Sequence, residues 1–376
     1  MNDSAIYVHI PFCDHKCIYC DFYSIITSDN INPFLHSLKK EINYYSALHS
    51  RNKLYSSIYF GGGTPSLMDP NFIYEIIQCI KEKYSLKEDA EITLETNPGT
   101  VDKAKLKDFL SIGINRLSIG IQSFFDEDLK FLTRIHDKET ALNTIKYADE
   151  AGFTNINIDL IFNLPGQTKE KWLYNLETGA SLPVNHISAY SLILERGTIL
   201  NKLVLDGKIK IRDQDYDAEL YELTMNFLEK QGFIQYEVSN FAKPGFECRH
   251  NNAYWRYKDY LSFGPSAHSF VNGKRWWNYS SLKRYIYEIE KNNHAVSGCE
   301  NIDQKQKLEE YVMLALRSKG LDVNDFKNKF SENWLKLRKN NFKELADRHL
   351  LEINDYTIRL TKSGYALCDE ILSKIL

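Results

Sequence analysis

Six short runs rich in β-branched and aromatic residues, at 5–10, 56–60, 91–95, 114–121, 155–162 and 186–192, alternate with amphipathic stretches over the first two hundred residues. This alternation is the strongest constraint in the chain, because a strand that lies parallel to its neighbour needs a long crossover, usually a helix. The intervening stretches 33–44, 70–84, 102–110, 138–151 and 169–179 read as those helices; several open at Pro or Asp and the fourth closes at Gly152. An eight-unit barrel would need two more repeats. After residue 192 comes instead a polar stretch and one long helix at 214–229, ending near Gly232. The expected class is α/β, an incomplete barrel of six strand and helix units over residues 1–235.

The chain then changes character twice. Residues 240–279, inside a region 236–300, are dense in Gly, Pro, His and aromatics without periodicity, which predicts an ordered loop region covering an open barrel face. From 301 to 376 the pattern predicts a small helical α+β domain: helices at 308–317, 323–330 and 334–348, strands at 351–353 and 357–360, and a last helix from 367. Such a unit is winged-helix-like, and on pattern alone it could bind DNA, with the Lys-rich segment 327–343 as the only support. The overall charge speaks against nucleic acid: 47 Lys and Arg against 50 Asp and Glu leave −3, no field for a polyanion or an anionic membrane. No apolar run approaches the roughly 18 residues of a membrane span, and Asp3 with the early Cys13 fits no signal peptide, so the expected location is cytoplasmic.

Of seven cysteines, Cys13, Cys17 and Cys20 lie within eight residues just beyond the first strand, while Cys79, Cys248, Cys299 and Cys368 are scattered. Three soft thiolates in one short loop select zinc, copper(I) or an iron–sulfur cluster. Zinc would take His9 or His15 as its fourth ligand, and Cys17 with Cys20 could alone form a redox pair. A [4Fe–4S] cluster held by three thiolates leaves one iron open to the amino and carboxylate groups of S-adenosylmethionine.

The spacing Cys-x3-Cys-x2-Cys with Tyr19 before the last Cys resembles the radical S-adenosylmethionine superfamily, and Tyr7-x-His9-Ile10-Pro11-Phe12-Cys13 resembles its oxygen-independent coproporphyrinogen oxidase branch. The likeness covers about residues 5–290. It implies a cluster on Cys13, Cys17 and Cys20 with Tyr7 beside it, Gly62, Gly63 and Thr64 at the methionine moiety, and Glu95, Gln122, Arg134 and Asp159 around the rest of the nucleotide. Residue chemistry alone leaves these open: Gly61 to Pro65 is a tight turn or a ligand cradle, and Glu95, Gln122 and Asp159 stand at strand ends that face a barrel's active site or simply carry satisfied polar groups. Residues 192–194 and the Gly197 turn would add apolar adenine contacts.

Within this branch, true oxidases decarboxylate coproporphyrinogen III; they have a longer region ahead of the cluster and a further Cys two positions after the third, where this chain has Phe22. The element His250-Asn251-Asn252-Ala253-Tyr254-Trp255 instead resembles the haem-chaperone branch. The resemblance implies haem ligation by His250, transfer of haem to an acceptor such as a respiratory haem protein through a transient contact at the membrane, and a cluster and nucleotide that gate oligomeric state or transfer. A homodimer is left open, as is the electron donor. Cys248 is a thiolate ligand or a bystander, and residues 263–269 are expected as a wall of the cavity. A radical decarboxylase, or a radical enzyme with another substrate, stays as the alternative.

Overall fold

The computed structural model describes residues 3–27, 29–50 and 53–376. Strands β1 (Asp3–Ile10), β2 (Leu54–Gly62), β3 (Leu86–Thr96), β4 (Arg116–Gln122), β5 (Ile156–Phe162) and β6 (His186–Ser191) lie side by side in that order, each parallel to the next. All six predicted strands are present. The crossovers α1 (Ile31–His49), α2 (Pro70–Lys83), α3 (Lys103–Ser111), α4 (Asp126–Phe131), α5 (Lys138–Ala151) and α6 (Lys169–Ser181) include every predicted helix and add α4. Local chemistry sets their ends: the Asp69 carboxylate caps α2 ahead of Pro70, Asp137 accepts from the Thr140 amide at the start of α5, and Gly152 ends α5 at φ +105°. The predicted long helix is Gln214–Lys230.

The strand period of two sorts side chains between the faces. In β4, Leu117, Ile119 and Ile121 join a buried core with the outer helices, among Phe60, Phe109, Ile158 and Trp172. Their alternates Arg116, Ser118, Gly120 and Gln122 line the concave face, as do Asn157, Asp159 and Ile161 of β5. The barrel stays open. At one flank β7 (Ile234–Gln235) and β8 (Asn240–Ala242) add antiparallel to β6; at the other, β9 (Tyr260–Phe263) pairs parallel with β1, and β10 (His268–Val271), β11 (Lys274–Asn278) and β12 (Val296–Asn301) extend it antiparallel.

These flanks correct the expectation for 236–300. The region is no separate loop cover: it supplies five strands to the same twelve-stranded sheet, and Leu261, Phe263, Trp276 and Tyr285 belong to the main core. Its strands are too short and too interrupted by turns to show a period. The helix Arg249–Trp255 packs into the concave face against β1 and β2.

A second apolar core, including Val312, Leu316, Phe326, Leu345, Ile358 and Leu372, organises the C-terminal region around a three-stranded sheet ordered Leu321–Asp322, Thr357–Leu360, Leu351–Ile353. The helix expected over 334–348 is two, Asn333–Leu337 and Lys339–Asp347. The break falls at Arg338, whose guanidinium stacks 4.2 Å from Trp334 and donates to the Ile375 and Leu376 carbonyls. In the Lys-rich segment, Lys327, Lys329 and Lys336 are ion-paired to Glu332 or Asp325 on the surface. Among the described residues no helix is long and apolar enough to cross a membrane.

Candidate functional site

The concave face encloses a cavity of about 420 Å³, within the range of small-molecule sites. Cys13, Cys17 and Cys20 all line it, in a loop pinned at both ends by Cys13 N–H to the Ile25 carbonyl (3.0 Å) and Ile25 N–H to the Pro11 carbonyl (2.8 Å). Burial pushes the Cys13 thiol up and the Cys20 thiol to about 11; a bound metal would deprotonate them outright. Among the described residues no three His, Cys, Asp or Glu side chains converge as ligands of one ion. Both candidate fourth ligands for zinc are engaged elsewhere. His9 Nε2 bonds the Tyr23 carbonyl at 2.9 Å, with burial lowering its pKa to about 4, and His15 Nε2 meets Thr133 Oγ1 at 3.1 Å. Three thiols that face one cavity without converging on a single ion, among the described residues, suit the spaced ligands of a polynuclear centre better than one zinc.

The glycine segment meets the cysteine loop backbone to backbone. Gly63 N–H donates to the Ile10 carbonyl (2.8 Å) and Thr64 N–H to that of Phe12 (2.7 Å), while Thr64 Oγ1 lies 3.3 Å from Cys13 Sγ. A Cβ on Gly63 would stand 2.6 Å from the Phe12 carbonyl oxygen, and one on Gly62, at φ +114°, would meet the His9 ring at 2.6 Å. Close approach alone therefore demands glycine here. Gly63→Ala is expected to push the cysteine loop off β2, costing about 1–3 kcal/mol and lowering both the melting temperature and the iron retained after reconstitution; unchanged values of both would show that the loop can yield.

Glu95 ends β3 with both oxygens held: Oε1 accepts from Tyr59 Oη at 3.0 Å and Oε2 from Gly62 N–H at 3.1 Å. Burial, then the neighbouring Asp159, raises its pKa to about 7. Asp159, raised by burial, accepts from Asn157 Nδ2 (2.8 Å) and Ser118 Oγ (3.4 Å). Gln122 lines the cavity at φ +69°, beside a register shift between β4 and β5. A non-glycine residue held there costs on the order of 1–3 kcal/mol, a strain that clusters at functional sites. Arg134 Nη2 donates to Asn97 Oδ1 (2.7 Å) and the Gly120 carbonyl (2.8 Å), and Nη1 reaches Cys17 Sγ at 3.6 Å.

Glu95, Gln122, Arg134, Asp159, Gly62, Gly63 and Thr64 thus line one cavity with the three cysteines. Tyr7 does not line it: it sits behind, its ring 6.1 Å from that of Tyr59 and its hydroxyl 3.4 Å from His9 Nδ1. Of the adenine candidates, Leu192 and Ile193 line the cavity, whereas Leu194 and Gly197 do not.

His250 also differs from expectation. It projects from Arg249–Trp255 beneath the cavity, fully buried, with Nδ1 at 3.1 Å from Ser57 Oγ and Nε2 at 2.9 Å from Tyr254 Oη. Its ring packs 5.0 Å from Tyr59, and burial lowers its pKa to about 3, so it is neutral with both nitrogens committed. Only its neighbour Asn251 reaches the cavity. Cys248 is buried, its thiol pushed up to about 12 beside Glu91, as an inert thiol is. Residues 263–269 are a buttress rather than a wall: Gly264 N–H donates to Glu41 Oε2 at 2.9 Å, and a Cβ on Gly264 would meet the His9 carbonyl at 2.5 Å.

Among the lining residues that sequence reading missed are Tyr59, Asn97, Arg116 and Ser188. Asn97 joins the two halves of the site, donating to Thr64 Oγ1 (2.9 Å) while accepting from Arg134. The polar alternation Arg116-x-Ser118-x-Gly120-x-Gln122 was the signal for Arg116.

Residues 7–177 match the profile described as Radical SAM superfamily, and residues 302–367 that of the HemN C-terminal domain. The chain is 34% identical over 375 residues to the heme chaperone HemW of Bacillus subtilis, covering 99% of each, and 34% identical over 375 residues to that of Lactococcus lactis, covering 99% of this chain and 97% of the relative. Among solved structures, the Escherichia coli coproporphyrinogen III oxidase, a radical SAM enzyme, shares the fold at a TM-score of 0.84 over 100% of this chain and 90% of its own, with 24% identity. The oxidase likeness lies in architecture, whereas end-to-end sequence identity joins the chain to the chaperone line: it belongs to the HemW family of the radical SAM superfamily.

Proposed function

We propose that this protein binds haem and hands it to an acceptor protein, with a [4Fe–4S] cluster on Cys13, Cys17 and Cys20 and S-adenosylmethionine held beside it. End-to-end identity to proteins named heme chaperone carries the reading. The cavity lining supports it: Phe22, two residues after the third cysteine, is 64% exposed and Ile193 is 65% exposed. Exposed apolar side chains along a cavity suit a flat apolar macrocycle.

When bound, such a cluster supplies an open iron for the nucleotide and a source of one electron. The chain's own residues do the rest. The Gly62 to Thr64 backbone and the Arg134–Asn97 bridge keep the nucleotide's polar end near the cysteine loop. Glu95 and Asp159 accept from its hydroxyl or amino groups, and Tyr59, backed by the His250 ring, holds Glu95 toward Gly62. Burial and then the neighbouring Asp159 hold the Glu95 carboxyl up to about 7, so it takes up a proton more readily than an exposed carboxylate does. Haem ligation by His250 requires its Nε2 to leave Tyr254 and the helix Arg249–Trp255 to swing out of the concave face.

The test is an anaerobic haem titration of reconstituted wild type and His250→Ala, read at the Soret band, with coproporphyrinogen III, S-adenosylmethionine and reductant in parallel samples. Stoichiometric haem binding without decarboxylated product is expected, weakened by the substitution. Product formation would support the decarboxylase reading, and haem binding indifferent to His250 would remove it as ligand while leaving the carrier reading in place.

A further inference from the structure

Arg116 opens β4 and turns inward, 2% exposed, to line the cavity floor. A guanidinium carries five N–H donors and no acceptor. Its Nε has no partner; burial opposes its charge, and Cys248, Glu91, Tyr59 and Tyr236 favour that charge through space, without a direct ion pair among the described residues. Nearby acids are already engaged. Glu95 takes Tyr59 and Gly62, Asp159 takes Asn157 and Ser118, and Glu91 accepts from Cys248 Sγ (3.4 Å), Arg249 N–H (3.1 Å) and His250 N–H (3.2 Å). The neighbouring imidazoles His186 and His250 are neutral, kept so by burial and then by Arg116 itself. A buried charge without a contact partner is costly, and a guanidinium is shaped for two parallel bonds to a carboxylate.

We propose that Arg116 anchors a carboxylate that the ligand carries into the cavity. On the haem reading, on which this choice of source rests, the carboxylate is a tetrapyrrole propionate; the same chemistry is also offered by the carboxylate of S-adenosylmethionine. The anchor explains why a floor whose carboxylates, Glu95 and Asp159, are already bonded to Tyr59, Gly62, Asn157 and Ser118 keeps a guanidinium with free donors among Ser118, Asn157 and Ser188.

The experiment compares reconstituted wild type, Arg116→Gln and Arg116→Lys, titrated anaerobically with iron protoporphyrin IX and its dimethyl ester, and separately with S-adenosylmethionine and its decarboxylated analogue. Wild type is expected to prefer the free acid over the ester at least tenfold, Arg116→Gln to bind both alike, and Arg116→Lys to recover part of the preference. Loss of discrimination confined to the nucleotide pair would keep the anchor and assign its carboxylate to the nucleotide. Equal discrimination by wild type and Arg116→Gln in both pairs would overturn it. A wild type that binds no porphyrin defeats the haem reading, while the nucleotide pair still judges Arg116. Unfolding of the ligand-free proteins separates a structural role: Arg116→Gln should melt no lower than wild type, and a lower melting point with loss of all binding would count against the proposal.

Discussion

Replacing any one of Cys13, Cys17 or Cys20 with alanine is expected to reduce reconstituted iron from roughly four atoms per chain to near background and to abolish the brown charge-transfer absorption of the cluster. The size of the effect follows from the ligand count. Among the described residues only three thiols face the cavity, so two remain after substitution, and the neighbouring imidazoles are engaged, His9 with Tyr23 and His15 with Thr133. The same change at Cys79, buried on α2, or at the exposed Cys299 should leave iron unchanged. Retention of a full complement by Cys17→Ala would contradict a three-thiolate cluster, and equal iron loss in Cys299→Ala would mean that the assay reads general damage.

Glu41 carries the second large effect. It lies on α1 with no exposed surface, yet accepts from Tyr285 Oη (2.7 Å), Gly264 N–H (2.9 Å) and Asn278 Nδ2 (2.6 Å), tying α1 to the flank built by β9, β11 and Leu282–Asn292. Burial raises its pKa from 4.5 to about 7, against the hydrogen bonds that favour the carboxylate. The folded chain therefore holds this proton more tightly than the unfolded one. The stability it confers is full below about pH 4.5, is lost as pH rises to about 7 and stays lost above, a change of about 3 kcal/mol. Glu41→Gln fixes the neutral form, so its stability relative to wild type should rise across that window; a constant gap between pH 5 and pH 8 in denaturant unfolding would refute the assignment. Glu41→Ala strands three buried donors at about 1–3 kcal/mol each. Against a typical total of about 5–15 kcal/mol, it is expected to leave the β9 flank open to proteolysis at 37 °C.

The parallel half of the fold was legible because its strands are long enough to show β-branched runs and its helices carry their own end signals, N-caps at Asp69 and Asp137 and a C-cap at Gly152. The short strands of the flanks, of two to six residues, hold no such period. Pairing with a neighbour distant in sequence, rather than local propensity, makes them strands. At the site, cysteine spacing and strand-end acids could be read in one dimension. The engagement of His250 could not, since Ser57 lies 193 residues away and the partner tyrosine four residues on is one helical turn distant only once Arg249–Trp255 has formed. Arg116 was passed over although the alternation over 116–122 carried its signal, because a basic residue in a strand reads as facing solvent until that face is seen to line a cavity.

The parallel pairing of β1 with β9 sets an order of events during synthesis. Ala5 to Val8 have as partners Tyr260 to Phe263, so the strand that leads into the cysteine loop keeps one unpaired edge until some 250 residues more have left the ribosome. Closing a contact of that sequence separation is entropically slow, and an open edge is the part of a nascent chain most prone to wrong pairing. Gly264, which seats on the His9 backbone, arrives in the same late segment. Iron offered to the half-made chain would meet a cysteine loop whose leading strand still lacks its second neighbour, so a cluster on Cys13, Cys17 and Cys20 is expected to assemble only after residues 260–264 have emerged.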